Sequence, residues 1–216
     1  MSNAREEILG RIRGALDTAL LPGASPEHPV NAVPRSTGGL DDFVREIETL
    51  SGVVIRASDA AEAAQQVVSL CQEKGWSQAL TWDFEEIGVA GLANALAAAG
   101  VQITTSGSPD DLKEIPVGIT GAEAGLADTG SLVVQNGPGR SSLASLLPPV
   151  HVALLRAEAV FPDMLTYWES TGDPAAHLKQ ANQHIFISGP SRTADIEQRL
   201  TLGVHGPREL YVIVWG

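Results

Sequence analysis

Apolar positions along the chain recur at two periods, and the switching between them predicts an alternating α/β fold. Residues 4–21 place Ile8, Leu9, Ile12, Leu16 and Leu20 at helical spacing, with Asn3 and Glu6 as a capping pair. Pro22, Pro26, Pro29 and Pro34 then interrupt any regular element through Gly39. Proline fixes φ, lacks a backbone donor and restricts the residue before it, so this stretch reads as a linker or a wrapping arm. The helix before it is an appendage that either packs on the domain surface or docks on a second subunit. The predicted division is an N-terminal helix and proline-rich arm over residues 1–39 and an α/β domain over 40–216.

From residue 40 the pattern alternates. Phe43, Val44, Ile47 and Leu50 mark one face of a helix over 41–50. Short apolar runs at 52–57, 78–82, 101–105, 117–120, 131–135, 150–155, 184–187 and 210–215 read as strands. Asp59 with Glu62 opens a helix that Gly75 ends, and an alanine-rich helix over 84–99 ends at Gly100. Further helices are expected over 160–170 and 193–200. Strands alternating with helices favour a mostly parallel sheet flanked by helices, with right-handed crossovers.

Composition narrows the function classes. Hydrophobic residues make up 44 % of the 216, enough for a sizeable core. A formal net charge of −12 disfavours a nucleic-acid backbone or an anionic membrane as the main partner. Any anion site must therefore rely on local basic groups and backbone N–H donors. No apolar run reaches the about 18 residues of a spanning helix, and the polar N-terminus lacks the apolar stretch of a secretory signal. A soluble, cytoplasmic protein is expected. The single cysteine, Cys71, excludes an intramolecular disulfide and a cysteine-ligated cluster within the chain. It continues the helical series Ala64, Val67, Val68 and reads as a core residue. His28, His177 and His184 lack metal-ligand spacing with carboxylates or with one another, so no zinc site is expected, and His151 reads as a core or edge residue.

Candidate chemistry gathers in glycine-rich loops at predicted strand ends, where open α/β sheets bind ligands. The first loop runs from Gly118 to Ser131, with Gly121, Gly125 and Gly130, the carboxylates Glu123 and Asp128, and the hydroxyls of Thr129 and Ser131. A carboxylate in such a loop serves as a general base, a nucleophile toward an acyl group or a partner for a ligand hydroxyl, and equally as a turn or helix cap. The loop matches neither the dinucleotide fingerprint nor the Walker A pattern. Arg140, after Gly137-Pro138-Gly139, suits two-pronged recognition of a carboxylate or phosphate, or is a surface arginine. In the second loop Ser188, Gly189, Ser191, Arg192 and Thr193 precede the predicted helix and form an anion cradle, in which Ser191 can also act as an ordinary N-cap. The third loop, 201–209, holds His205, a catalytic or ligand-contacting candidate or a structural residue, and Arg208. One concave pocket at one rim of the sheet, shared by Gly130, Arg140, Ser191 and His205, is the expectation.

These segments also carry a family resemblance. The strings Gly118-Ile119-Thr120-Gly121-Ala122-Glu123 and Asp128-Thr129-Gly130-Ser131, the stretch from Arg140 to His151, Ile187 to Glu197, and Gly203 to Glu209 together resemble the signature of the lactate-utilisation (LUD) domain family. The likeness spans residues 117–215 and is nearest to the family's stand-alone C-subunit branch. It implies the superfold of CoA transferases, ribose-5-phosphate isomerase and glucosamine-6-phosphate deaminase. It also implies a part in the oxidation of L-lactate to pyruvate alongside two iron–sulfur partner proteins, with the clusters in those partners and no cofactor in this chain. The positions expected to meet a small anionic ligand are Gly121, Glu123, Asp128, Thr129, Gly130, Arg140, Ser188, Gly189, Ser191, Arg192, Thr193, His205 and Arg208, with Asp128 and His205 as catalytic candidates. The family often has glutamate where Asp128 stands, and the shorter side chain weakens its reading as a transferase nucleophile. Three roles follow. The chain is a non-redox subunit that binds a small anion or scaffolds the complex, an independent CoA-transferase-like or sugar-phosphate isomerase-like enzyme, or a sensing or structural adaptor.

Overall fold

The computed structural model describes residues 4–18, 35–193, 201–203 and 205–216. Two compact units divide the chain, residues 1–34 and 35–216. The first is described through α1 (Ala4–Thr18), an amphipathic helix with Ile8, Ile12 and Leu16 exposed. The expected continuation of this helix to residue 21 and the prolines at 22–34 lie outside the described residues.

The second unit begins with α2 (Leu40–Thr49), β1 (Val53–Ala57), α3 (Ala60–Lys74) and β2 (Gln78–Thr81). It continues through α4 (Phe84–Ile87), α5 (Leu92–Ala98), β3 (Gln102–Thr104), α6 (Pro109–Leu112) and β4 (Val117–Gly121). Six strands form an all-parallel sheet in the order β1-β12-β7-β4-β2-β3, where β7 is Val150–Arg156 and β12 is Glu209–Trp215. The central strands are runs of Val, Ile and Leu buried along nearly their whole length, as a parallel strand covered on both faces should be. The edge strands β1 and β3 are more exposed. The expected α/β class, a mostly parallel sheet flanked by helices, is the observed one.

A second sheet, β8-β5-β6-β9, extends the first loop region. Here β5 is Ala124–Leu126, β6 Ser131–Asn136, β8 Val160–Phe161 and β9 Gln183–Ile187. The pairs β5–β6 and β6–β9 are antiparallel. Helices α7 (Leu143–Leu146), α8 (Met164–Ser170) and α9 (Pro174–Leu178) lie between these strands in the chain. Helix α7 packs on β4 so closely that a Cβ at Gly118 would stand 1.7 Å from the carbonyl oxygen of Ala144. Only glycine permits that approach.

The main core joins Phe43 and Ile47 of α2, Val67 of α3, Leu96 of α5 and Ile119, Leu155 and Ile213 of the sheet. Cys71 belongs to it, and burial pushes its thiol up to about 11, which leaves it protonated and unreactive. A smaller cluster of Ala124, Leu126, Val133 and Tyr167 lies on the second sheet.

Several elements depart from the sequence pattern. The expected helix over 84–99 is two helices, the first ending where Gly88 N–H bonds the Phe84 carbonyl. In the 160–170 segment Val160 and Phe161 pair with β5, and the helix starts only after Asp163, whose carboxylate accepts from the Thr166 N–H. Thr193 is a strand residue, not a helix start. Arg192–Thr193 (β10) pairs antiparallel with Thr201–Leu202 (β11), and residues 194–200 lie outside the described residues. No helix among the described residues is long and apolar enough to cross a membrane.

Candidate functional site

The strongest candidate lies beyond the carboxyl ends of β2 and β4, the edge at which open parallel sheets bind ligands. Strand β4 ends at Gly121, and Ala122 and Glu123 carry the chain into β5. After β6 the chain folds back in a tight turn closed by reciprocal bonds, Gly137 N–H to the Arg140 carbonyl (3.1 Å) and Arg140 N–H to the Gly137 carbonyl (3.0 Å). This turn is tied to the end of β2. Asp83 N–H donates to the Gly139 carbonyl (2.8 Å), and the Trp82 indole donates to the Ser141 carbonyl (3.0 Å). Trp82, Glu86, Gly121, Glu123, Gln135 and Arg140 thereby surround a cavity of about 250 Å³.

Arg140 is largely buried, with 23 % of its side chain exposed, yet its hydrogen bonding is incomplete. Its Nη1 reaches Gln135 Oε1 at 3.4 Å, and Nε stands 3.5 Å from Glu86 Oε2 without hydrogen-bond alignment. Glu123 has a similar surplus. Its Oε1 lies 2.8 Å from Nε2 of His177, while its buried Oε2 has no donor.

Three elements converge on Glu123. Register pairs Gln135 of β6 directly with His184 of β9, so the two side chains emerge as cross-strand neighbours. Gln135 Nε2 lies 3.0 Å from His184 Nε2 and 2.8 Å from His177 Nε2. His177 sits in the last turn of α9, which Asp173 caps by accepting from Ala176 N–H, with Pro174 as the first helical residue. The Tyr167 hydroxyl is 3.1 Å from the same His177 nitrogen, and the Trp168 ring lies 5.9 Å from each imidazole. These two aromatics stand on α8, whose Asp163 cap is gripped by Arg35 Nε (3.2 Å) and Ser36 N–H (3.0 Å). The Thr166 N–H, assisted by these donors, holds the Asp163 carboxyl at about 2. Burial lowers the His184 pKa, opposed by the Glu123 charge and reinforced by His177 and Arg140. Burial, with the Glu123 charge, raises the Tyr167 hydroxyl well above its usual range.

The other predicted site residues lie elsewhere. Ser188, Gly189, Ser191 and His205 line a second cavity, of about 210 Å³, with His151 and Leu210 at the amino ends of β7 and β12. Arg208 lines an adjoining hollow with Lys113 and Glu114. Much of this rim is committed to itself. Ser188 Oγ pairs with Ser131 Oγ (2.7 Å), Ser191 N–H donates to the Pro207 carbonyl (2.8 Å), and Arg192 Nη2 bonds the Leu50 carbonyl and Ser51 Oγ. Thr193 lies in the two-stranded β10–β11 ribbon, and the rest of the anticipated helix start, 194–200, lies outside the described residues.

Asp128, Thr129 and Gly130 form the turn between β5 and β6 and line neither cavity, although Thr129 Oγ1 accepts from Ser131 Oγ (2.8 Å), the hydroxyl paired with Ser188, and Asp128 lines a separate hollow with Asp42 and Arg45. Asp128 and Thr129 are exposed, and Asp128 N–H bonds the Pro162 carbonyl (3.1 Å). Gly130 has φ +58°, and a Cβ there would come within 2.6 Å of Ile47 N, so glycine is required for the turn to pass α2. The single shared pocket expected of Gly130, Arg140, Ser191 and His205 is thus not formed. The first loop contains a strand of its own, β5, which carries Glu123 and Asp128 to opposite ends. Sequence reasoning also missed Trp82, Glu86, Gln135, Tyr167, His177 and His184 as neighbours of the site. The one local signal was Asp173-Pro174, a helix start that puts His177 at the end of a short helix.

Known proteins place this architecture. The chain is 32 % identical over 161 residues to lactate utilization protein C of Halalkalibacterium halodurans, spanning 69 % of this chain and 68 % of that one. It is 32 % identical over 181 residues to the uncharacterized protein YkgG of Escherichia coli K12, spanning 81 % and 78 % of the two chains. The crystal structure of a DUF162 family protein from Deinococcus radiodurans superposes with a TM-score of 0.61 at 20 % identity, covering 82 % of this chain and 95 % of that one, and so shares the fold. The LUD domain family model matches residues 40–215, which include both sheets and the Arg140 cavity. By this match the chain belongs to the LUD domain family.

Proposed function

We propose that this protein serves lactate utilisation as a cytosolic, non-redox component that binds a small monocarboxylate, L-lactate or pyruvate, in the Arg140 cavity beside iron–sulfur partner proteins. The observation that carries the ligand assignment is the state of Arg140. Its guanidinium is mostly buried, faces a cavity at the carboxyl rim and has donors without aligned acceptors. A guanidinium with donors to spare takes a carboxylate in competition with Glu86, whose Oε2 stands 3.5 Å from Nε on the same cavity. The link to lactate comes from relatives named lactate utilization protein C. The iron–sulfur clusters fall to the partners, because one buried cysteine cannot supply a cluster's thiolates. Asp128 stands on an exposed turn outside this cavity, which leaves the transferase reading built on that residue without support.

Calorimetric titration of the full chain with L-lactate and with pyruvate tests the ligand assignment. Saturable binding by either that Arg140→Ala weakens about 100-fold supports it, and binding unchanged in Arg140→Ala contradicts it. For the wider role, deletion in a host without a second copy should stop growth on lactate, and the tagged chain should co-purify with cysteine-rich iron–sulfur proteins. Undiminished growth would refute that role.

A further inference from the structure

We propose that Glu123, His177 and His184 hold a divalent transition-metal ion, with a coordination position open to the Arg140 cavity. One carboxylate oxygen and two imidazole nitrogens, all within 4.8 Å of one another, are the donor set that zinc and its first-row neighbours take with three protein ligands. Metal–ligand bonds of about 2.0–2.1 Å put tetrahedral ligand atoms about 3.3 Å apart, so the 2.8 Å between Glu123 Oε1 and His177 Nε2 opens slightly while any wider separation, none above 4.8 Å, closes.

The hydrogen bonding points independently to a missing cation. Gln135 Oε1 faces the Arg140 guanidinium, so its amide nitrogen is the atom turned toward both imidazoles. It can donate to both only if each Nε2 bears a lone pair directed inward. Glu123 Oε1 then meets the His177 lone pair at 2.8 Å, acceptor against acceptor. Protonating His177 Nε2 would satisfy Glu123 but set an N–H against the Gln135 amide. It would also leave Glu123 Oε2 buried without a donor. An ion among the three ligands uses both lone pairs and the carboxylate together.

The surroundings suit an ion. The ligands come from three separate elements, β9, α9 and the β4–β5 link, and Trp168 packs near both imidazole rings. The contacts that Gln135 and Tyr167 make to these Nε2 atoms give way when the ion takes the lone pairs. Glu123 also lines the cavity, so the position opposite the histidines is reached from it. A 2-hydroxy or 2-oxo acid held by Arg140 would bring its second oxygen toward that position. This last link depends on the carboxylate reading above, and the metal site itself does not.

The test is titration of the metal-stripped, tag-free full chain with Zn²⁺ alone, without organic anions, with Co²⁺ absorption as the signature of imidazole coordination. One equivalent should bind. His184→Ala and Glu123→Gln should each weaken binding at least about tenfold while circular dichroism shows the fold intact. Glu158→Gln, on the surface, should bind as the parent does. Absence of saturable binding by the folded parent chain, or binding unchanged in His184→Ala, overturns the proposal. Lactate and pyruvate failing to bind while zinc still does would remove the proposed function and leave the metal site standing.

Discussion

The two rims of the parallel sheet carry similar residue types and differ in what those residues have left to offer. At the amino rim, Ser188, Ser191 and Arg192 are bonded to neighbouring chain segments, and their role there is to close loops. The buried polar atom without a partner on that cavity is Nδ1 of His151, an imidazole that burial keeps neutral, with its pKa down to about 4. At the carboxyl rim, Arg140 Nε and Glu123 Oε2 are buried with no hydrogen-bond partner, and two further imidazoles stand beside them. Buried polar groups are normally satisfied, so two charged groups left incomplete on one cavity weigh more than the single neutral imidazole of the other rim. Glycine-rich loops and hydroxyls alone do not separate a site from a well-tied loop.

The largest expected effect comes from the strand that serves both rims. Gly118→Ala drives a methyl group into the Ala144 carbonyl and should cost about 3 kcal/mol in urea denaturation, with loss of ligand binding at either rim. A stability change below 1 kcal/mol would show that α7 can lift from β4 freely. Arg140→Ala should next reduce pyruvate affinity about 100-fold, the scale of charge-assisted hydrogen bonds, while Arg208→Ala at the amino rim leaves it unchanged. Equal losses in both variants would erase the distinction between the rims.

A third expectation concerns acid. His151 is neutral when folded, with a pKa of about 4 against about 6.5 in an unfolded chain. Because the folded value is the lower, its contribution is fully present above pH 6.5 and falls away as pH drops from there toward 4. By pH 5 the loss should be about 2 kcal/mol, and His151→Gln should flatten this part of the stability profile. An unchanged profile would show that His151 titrates normally. The smallest effect is expected at Asp128. Asp128→Asn, on an exposed turn, should alter stability by no more than about 0.5 kcal/mol and ligand affinity not at all.

The scaffold was readable in the chain because its signals are local. Runs such as Val150–Leu155 and Leu210–Trp215 are parallel strands buried on both faces, and Asp59 accepts from the Glu62 N–H at the start of α3 as the capping pattern required. The separation of the rims was not readable. β5 is Ala-Gly-Leu, too short and small to register as a strand, and it exists through its pairing with β6 and β8. The grouping of Glu123 with His177 and His184 arises from the β6–β9 register and from α9, contacts between residues far apart in sequence. Arg140 was identified from its glycine neighbours, but its value as a candidate comes from burial without full pairing, which three-dimensional structure alone reveals.

The most direct test is amide chemical-shift mapping of the isotope-labelled full chain titrated with pyruvate. Perturbations should cluster at Gly121–Glu123, Gln135 and Gly137–Ser141, and leave Ser188–Ser191 and His205–Pro207 in place. Shifts concentrated at the latter two segments, with Arg140 and its turn unmoved, would place the ligand at the amino rim and contradict the account.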